Sequence, residues 1–171
     1  TFVCGVFDHG RLLLGLCAIF WAGNAISSRL AVGEITPLTR MVRPHVAIVT
    51  TVAAVHLEHF DSVAGIADAK GEIFSGLEPG GVAVINADNE WAARLKGHAM
   101  KANAERVVTF GRSAGCDVRL SVLDLYEGHS DLTVELFGKK LRYRLGVPGE
   151  HNISNALAAI GAARALDVPL A

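Results

Sequence analysis

The chain has 171 residues, 51% of them apolar, which suits one domain with a substantial core and argues against intrinsic disorder. A formal net charge of −1 at pH 7 argues against a broad electrostatic footprint for nucleic acid or an anionic membrane, leaving room only for local basic patches. Cys4, Cys17 and Cys116 are odd in number, widely spaced and without a C-x-x-C, a pattern that fits a reducing, cytoplasmic setting better than a disulfide framework or structural zinc site.

The first elements are the least legible. The apolar run "LLLGLCAIFWA" at 12–22 is too short to span a bilayer as a helix. A signal-peptide core is the competing reading, with Arg11 before it and small residues after it. A single flanking arginine and no initiating Met favour a buried strand or helix. The run "VAIVTTVAAV" at 46–55 is β-branched with no polar alternation, as in a strand covered on both faces of a parallel sheet. From Asp61 to Leu77 the apolar positions Val63, Ile66, Ala67, Ile73, Phe74 and Leu77 recur at helical spacing, and Lys70 falls on the same stripe.

"EPGG" at 78–81 is a turn, and "VAVIN" at 82–86 is a second strand apolar on both faces. "ADNEWAARLKGHA" predicts a helix capped near Asp88, and "RVVTFG" at 106–111 a third strand. Strand, helix, strand, helix, strand predicts an α/β sheet, mostly parallel and flanked by helices. The period then changes. "DVRLSVLDLY", "DLTVELF" and "KLRYRLGV" alternate apolar and polar residues, which predicts an antiparallel β meander with one solvated face. After "PGEHN", the alanine-rich "ISNALAAIGAARAL" predicts a helix ending near Asp167.

Four places carry candidate chemistry. His56 follows a buried strand directly, at the carboxyl edge where ligands of open α/β sheets bind; taken alone, a loop histidine bonded to backbone is the simpler reading. Lys70 is either snorkelling towards water or Glu72, or a desolvated amine of lowered pKa that can capture carbon dioxide as a carbamate and offer Mg²⁺ an oxygen. Lys70 lies about 13 Å along its helix, so it meets the His56 loop only if the helix crosses back over the strand ends. In "PGEHNISN", Asn152 is a good N-cap with Asn155 one turn further. With His151 they offer donors and acceptors to an anion or a base edge. Asn86 and Asp88 stand at another strand end, where capping accounts for Asp88.

From "GEITPLTRMVRPHVAIVTTVAAVHLEHF" through "DSVAGIADAKGEIFSGLEPGGVAVINADN", and again at "GEHNISNALAAIGAARALDVPLA", the chain resembles the central domain of the Mur ligases, from about Gly33 to Ala171. The resemblance implies a P-loop-type α/β domain, incomplete here: residues 1–32 form an atypical segment and 33–171 a partial central, ATP-binding domain. It also implies an ATP-dependent amide-forming ligase of peptidoglycan precursor synthesis. ATP and Mg²⁺ are its cofactors, and an acyl phosphate is attacked by an incoming amine. The expected reaction adds D-alanyl-D-alanine to a UDP-MurNAc-tripeptide.

Position by position, His56 would match the metal-binding histidine, Lys70 the carbamylated lysine that supports Mg²⁺, and His151, Asn152 and Asn155 the region near the nucleotide. The departures are specific. No G-x-x-x-x-G-K-[ST] occurs, and Trp21 stands where an acidic Mg²⁺ ligand would come. The outer domains that take the UDP-MurNAc-peptide and the amine lie outside the match, so the chain alone is expected to be inactive. No nucleic-acid or membrane partner is expected. The alternatives are another Mur ligase, a folylpolyglutamate synthase-like ligase, or a non-catalytic remnant that serves as a binding module.

Overall fold

The computed structural model describes residues 35–54, 60 and 62–169. The expectations for the run at 12–22, for Trp21 and for His56 lie outside the described residues. The elements are α1 (Ile35–Val42), β1 (Val46–Val49), α2 (Val63–Gly71) with a 3-10 turn after it (Glu72–Gly76), β2 (Val82–Asn86), α3 (Ala92–Lys101), β3 (Arg106–Gly111), β4 (Val118–Leu125), β5 (Ser130–Leu136), β6 (Lys139–Leu145) and α4 (Glu150–Ala165). The strands form one six-stranded sheet in sequence order. β1, β2, β3 and β4 pair in parallel, while β4–β5 and β5–β6 are antiparallel. The expected mixed sheet with a meander is what forms.

The two strand periods have a direct packing cause. In β2, Val82 and Val84 face a core with Ile153, Leu157 and Ala158 of α4. Ala83 and Ile85, between them, face a second core with Ile66, Phe74, Leu95 and Ala99 of α2, the 3-10 turn and α3. Both faces are covered, so both must be apolar. In β5 the alternate residues Leu132, Val134 and Leu136 are buried, while Asp131, Thr133 and Glu135 are only half-buried. Only one face there is covered, hence the alternation.

Several boundaries differ from the sequence expectation, each for a local reason. β1 ends at Val49 rather than running to residue 55, because the carbonyls beyond it are taken by side chains and not by a neighbouring strand. The helix expected over 61–77 starts after Ser62, whose Oγ accepts the Gly65 amide at 3.2 Å. It tightens to 3-10 after Gly71 and ends where Gly76 passes the backbone of Thr39, an approach a Cβ would block. α3 begins at Ala92, and Asp88 does not cap it. Instead Asn89 Oδ1 accepts the Trp91 amide at 3.0 Å, and Asp88 is drawn to β3. α4 begins at Glu150, so Asn152 lies inside its first turn rather than at its cap. Gly149, with φ of 111°, supplies the left-handed turn that starts the helix early.

Candidate functional site

The carboxyl ends of β1, β2 and β3 are joined by side chains that bond to backbone. Three consecutive carbonyls after β1 are each gripped. Asn86 Nδ2 donates to Thr50 O at 2.9 Å, Lys70 Nζ to Thr51 O at 2.8 Å, and Asn89 Nδ2 to Val52 O at 2.9 Å. An extended segment with no ladder partner would otherwise leave polar groups unsatisfied. The same asparagines order their own loop, since Asn86 Oδ1 accepts the Asp88 amide at 3.0 Å.

Asp88 carries the connection on to β3. Its carboxylate accepts the amide of Arg112 at 2.6 Å, the amide of Ser113 at 3.0 Å and the Ser113 hydroxyl at 2.6 Å. Burial pushes the Asp88 pKa up, but these hydrogen bonds and the Arg112 charge outweigh it, and the carboxyl is held below its ordinary value. The approach needs a glycine next door. A Cβ on Gly111 would sit 2.7 Å from the Asp88 carboxylate, and Gly111 has φ of 152°. The turn so held presents Arg112, whose Nη2 meets Glu150 Oε1 of α4 at 2.9 Å.

These strand ends and the first turns of α4 enclose a cleft of about 400 Å³, with Thr50, Thr51, Asn86, Asp88, Arg112, Glu150, His151 and Asn155 among its lining residues. It lies along the carboxyl edge of the parallel strands, where open α/β sheets take their ligands. Its floor is apolar, from Leu120, Ile153 and Leu157. Polar rim and apolar floor suit an aromatic ligand that carries polar or charged groups.

Of the residues singled out from the sequence, Asn86, Asp88, His151 and Asn155 line the cleft. Asn152 does not; its amide donates to Pro148 O at 2.7 Å and fastens the turn before α4. Lys70 is half-buried, and its Nζ donates to the carbonyl of Thr51, itself a lining residue. The helix does cross back to the strand end. Burial lowers the Lys70 pKa. Among the described residues no group of three His, Cys, Asp or Glu side chains could hold a metal.

Sequence reasoning missed Thr50, Arg112, Glu150 and the part played by Asn89. A signal was present: polar residues stand at or just after the end of each of three successive strands, "TT" at 50–51, "NADN" at 86–89 and "GRS" at 111–113. Applied to all three strands, the carboxyl-edge rule points to them.

Known proteins share this sequence pattern and fold. The Mur ligase middle domain profile matches residues 27–163. The UDP-N-acetylmuramoyl-tripeptide–D-alanyl-D-alanine ligase of Escherichia coli (strain K12) is 37% identical over 132 residues, covering 74% of this chain and 28% of that protein. The UDP-N-acetylmuramate–L-alanine ligase of Kineococcus radiotolerans is 43% identical over 125 residues, covering 72% of this chain and 26% of that protein. Among solved structures, MurF from Acinetobacter baumannii superposes with a TM-score of 0.73 at 32% identity, over 81% of this chain and 29% of that one. The MurF ligase of Thermotoga maritima, solved in complex with ADP, gives 0.69 at 25% identity, over 81% of this chain and 31% of that one. The chain thus spans little more than a quarter of the length of the curated relatives it matches. With the profile, the sequence relatives and the fold matches in agreement, the chain belongs to the Mur ligase middle domain family.

Proposed function

We propose that the cleft is the nucleotide site of an ATP-dependent, amide-forming ligase of peptidoglycan precursor synthesis, acting in the cytoplasm. The observation that carries this reading is the convergence of three strand ends and the start of α4 on one cleft lined by His151 and Asn155. ATP supplies the phosphoryl group that activates a carboxylate for attack by an amine. The chain's own contribution is to bind and orient. His151 and Asn155 offer hydrogen bonds to the nucleotide, and Asn152 holds the Pro148 turn that positions them. The apolar floor takes the base, and the helix start favours negative charge.

The fit to Mg²⁺ rests on Lys70. As an ammonium it is a donor and no ligand. A half-buried amine of lowered pKa is neutral more of the time and open to carbamate formation. A carbamate nitrogen keeps one N–H, which can still serve Thr51 O. Lys70 as carbamate, with His56, is therefore the pair we assign to the metal. Incubation with ¹³C-labelled bicarbonate should give a carbamate carbon resonance that Lys70→Arg lacks; a spectrum without it removes Lys70 as a ligand.

The favoured reaction joins D-alanyl-D-alanine to a UDP-MurNAc-tripeptide, in line with the MurF folds it resembles. The 43% identity to an L-alanine-adding relative supports addition of L-alanine to UDP-N-acetylmuramate as the second reading. The 171 residues assayed alone should bind Mg-ATP but not ligate. They contain no P-loop motif, and positioning of phosphates is most of phosphoryl-transfer catalysis. Calorimetric titration with Mg-ATP tests the binding; no heat up to millimolar nucleotide favours a non-catalytic remnant. Phosphate release that requires ATP, muramyl substrate and amine together would refute the inactivity, and the amine that supports it would name the reaction.

A further inference from the structure

We propose that Arg112 is a nucleotide-contacting residue and that Glu150 competes with the ligand for its guanidinium; this rests on the cleft being the nucleotide site. Arg112 is the one arginine or lysine among the described residues that line the cleft, against two carboxylates, Asp88 and Glu150. The carboxylates differ in what occupies them. Asp88 is engaged by two amides and a hydroxyl, so it fixes the backbone at Arg112 and Ser113 and leaves the Arg112 side chain to move. Glu150 meets the guanidinium itself, Nη2 to Oε1 at 2.9 Å, with the two side chains 53% and 77% exposed.

An ion pair that exposed is shallow and opens readily, because water screens it and both side chains gain freedom on parting. Turning the guanidinium from Glu150 to phosphate gives the ligand the planar, charged donors that phosphate oxygens match. The backbone clamp at Asp88 keeps the arginine's root in place through that exchange, so the swing is a side-chain rotation with no loop rearrangement. Glu150 therefore sets the affinity from the side opposite to Arg112: it weakens binding by holding the residue that would strengthen it.

Calorimetric titration of the 171-residue chain with Mg-ADP and, separately, adenosine tests this with Arg112→Gln, Glu150→Gln and the double variant. Arg112→Gln should weaken Mg-ADP roughly tenfold, the order expected for one charge-assisted contact at a half-open site. Adenosine should be little affected. Glu150→Gln should tighten Mg-ADP by about threefold, the scale of an exposed ion pair. The double variant should match Arg112→Gln alone. A gain of affinity cannot come from lost folding, so Glu150→Gln is informative whatever Arg112→Gln does to stability. If the unsubstituted chain binds Mg-ADP but Arg112→Gln leaves it unchanged, or Glu150→Gln weakens it, or adenosine suffers the same loss, the role of Arg112 is overturned and the cleft reading stands. If the unsubstituted chain binds no Mg-ADP, both fall.

Discussion

In the parallel half of the sheet, the polar side chains at the strand ends grip backbone: Asn86, Lys70 and Asn89 hold the carbonyls of Thr50, Thr51 and Val52, and Asp88 holds the amides of Arg112 and Ser113. In the antiparallel half the charged side chains grip one another. Arg144 forks onto Asp131 at 2.7 and 2.8 Å, and Arg119 meets Glu135 at 3.1 Å. The antiparallel half also leaves Arg119 Nε, Ser130 Oγ and Tyr143 Oη buried without a partner among the described residues, and the consequences differ. A side chain that bonds to backbone sets where a loop lies, and the loops of β1–β3 make the cleft. A cross-strand ion pair on a solvated face adds little to a register that the β5 and β6 ladder already fixes.

That contrast can be broken at several depths. Ile85, fully buried between β2 and the α2–α3 layer, should show the largest effect: Ile85→Ala should cost about 2–5 kcal/mol in urea unfolding. A loss under about 1 kcal/mol would mean that the two-sided core is looser than its burial implies. Next is Asn89→Ala, which leaves the Val52 carbonyl without its donor and frees the Trp91 amide. About 1–3 kcal/mol should be lost, with faster amide exchange at the start of α3. Equal stability of variant and parent would show that water replaces the grip at no cost.

A pH test separates a third linkage. Asp68 of α2 accepts Arg94 Nε at 2.5 Å and Arg94 Nη2 at 2.6 Å, and lies 2.8 Å from His98 Nε2, both residues in α3. Hydrogen bonds from Arg94 and then His98 hold its pKa well below the usual carboxylate range. A carboxyl depressed in the fold adds stability above its unfolded pKa of about 3.9, and loses it as pH falls through the folded value. Asp68→Asn should therefore flatten the fall in Tm below about pH 4 relative to the parent. Parallel curves would assign the acid sensitivity elsewhere. The smallest effect is expected in the meander: Arg144→Ala should leave the urea midpoint unchanged within error, and a clear shift would show that an exposed pair holds the sheet.

Much of the fold was legible because it rests on periodicity. Two-sided apolar runs marked β1 and β2, and alternation marked β4 to β6. Lys70 was legible as an inward-facing charge, since helical phase alone puts it on the apolar stripe. Boundaries were less legible. Asp88 and Asn152 both have good capping chemistry, yet Asn89 and the Gly149 turn begin the helices. Local propensity ranks candidates for a cap; which one is used depends on what else competes for its side chain.

The sequence by itself determined the alternation of strands and helices, the change of period into the meander, and the side of α2 on which Lys70 lies, because these follow from the turn angle and burial of neighbouring residues. Only the tertiary structure decided that Asp88 serves Arg112, 24 residues away, and that Arg112 meets Glu150, 38 residues further on. Such bonds need strand order and register to be set first, since a shift of one residue would turn each side chain to the opposite face of the sheet.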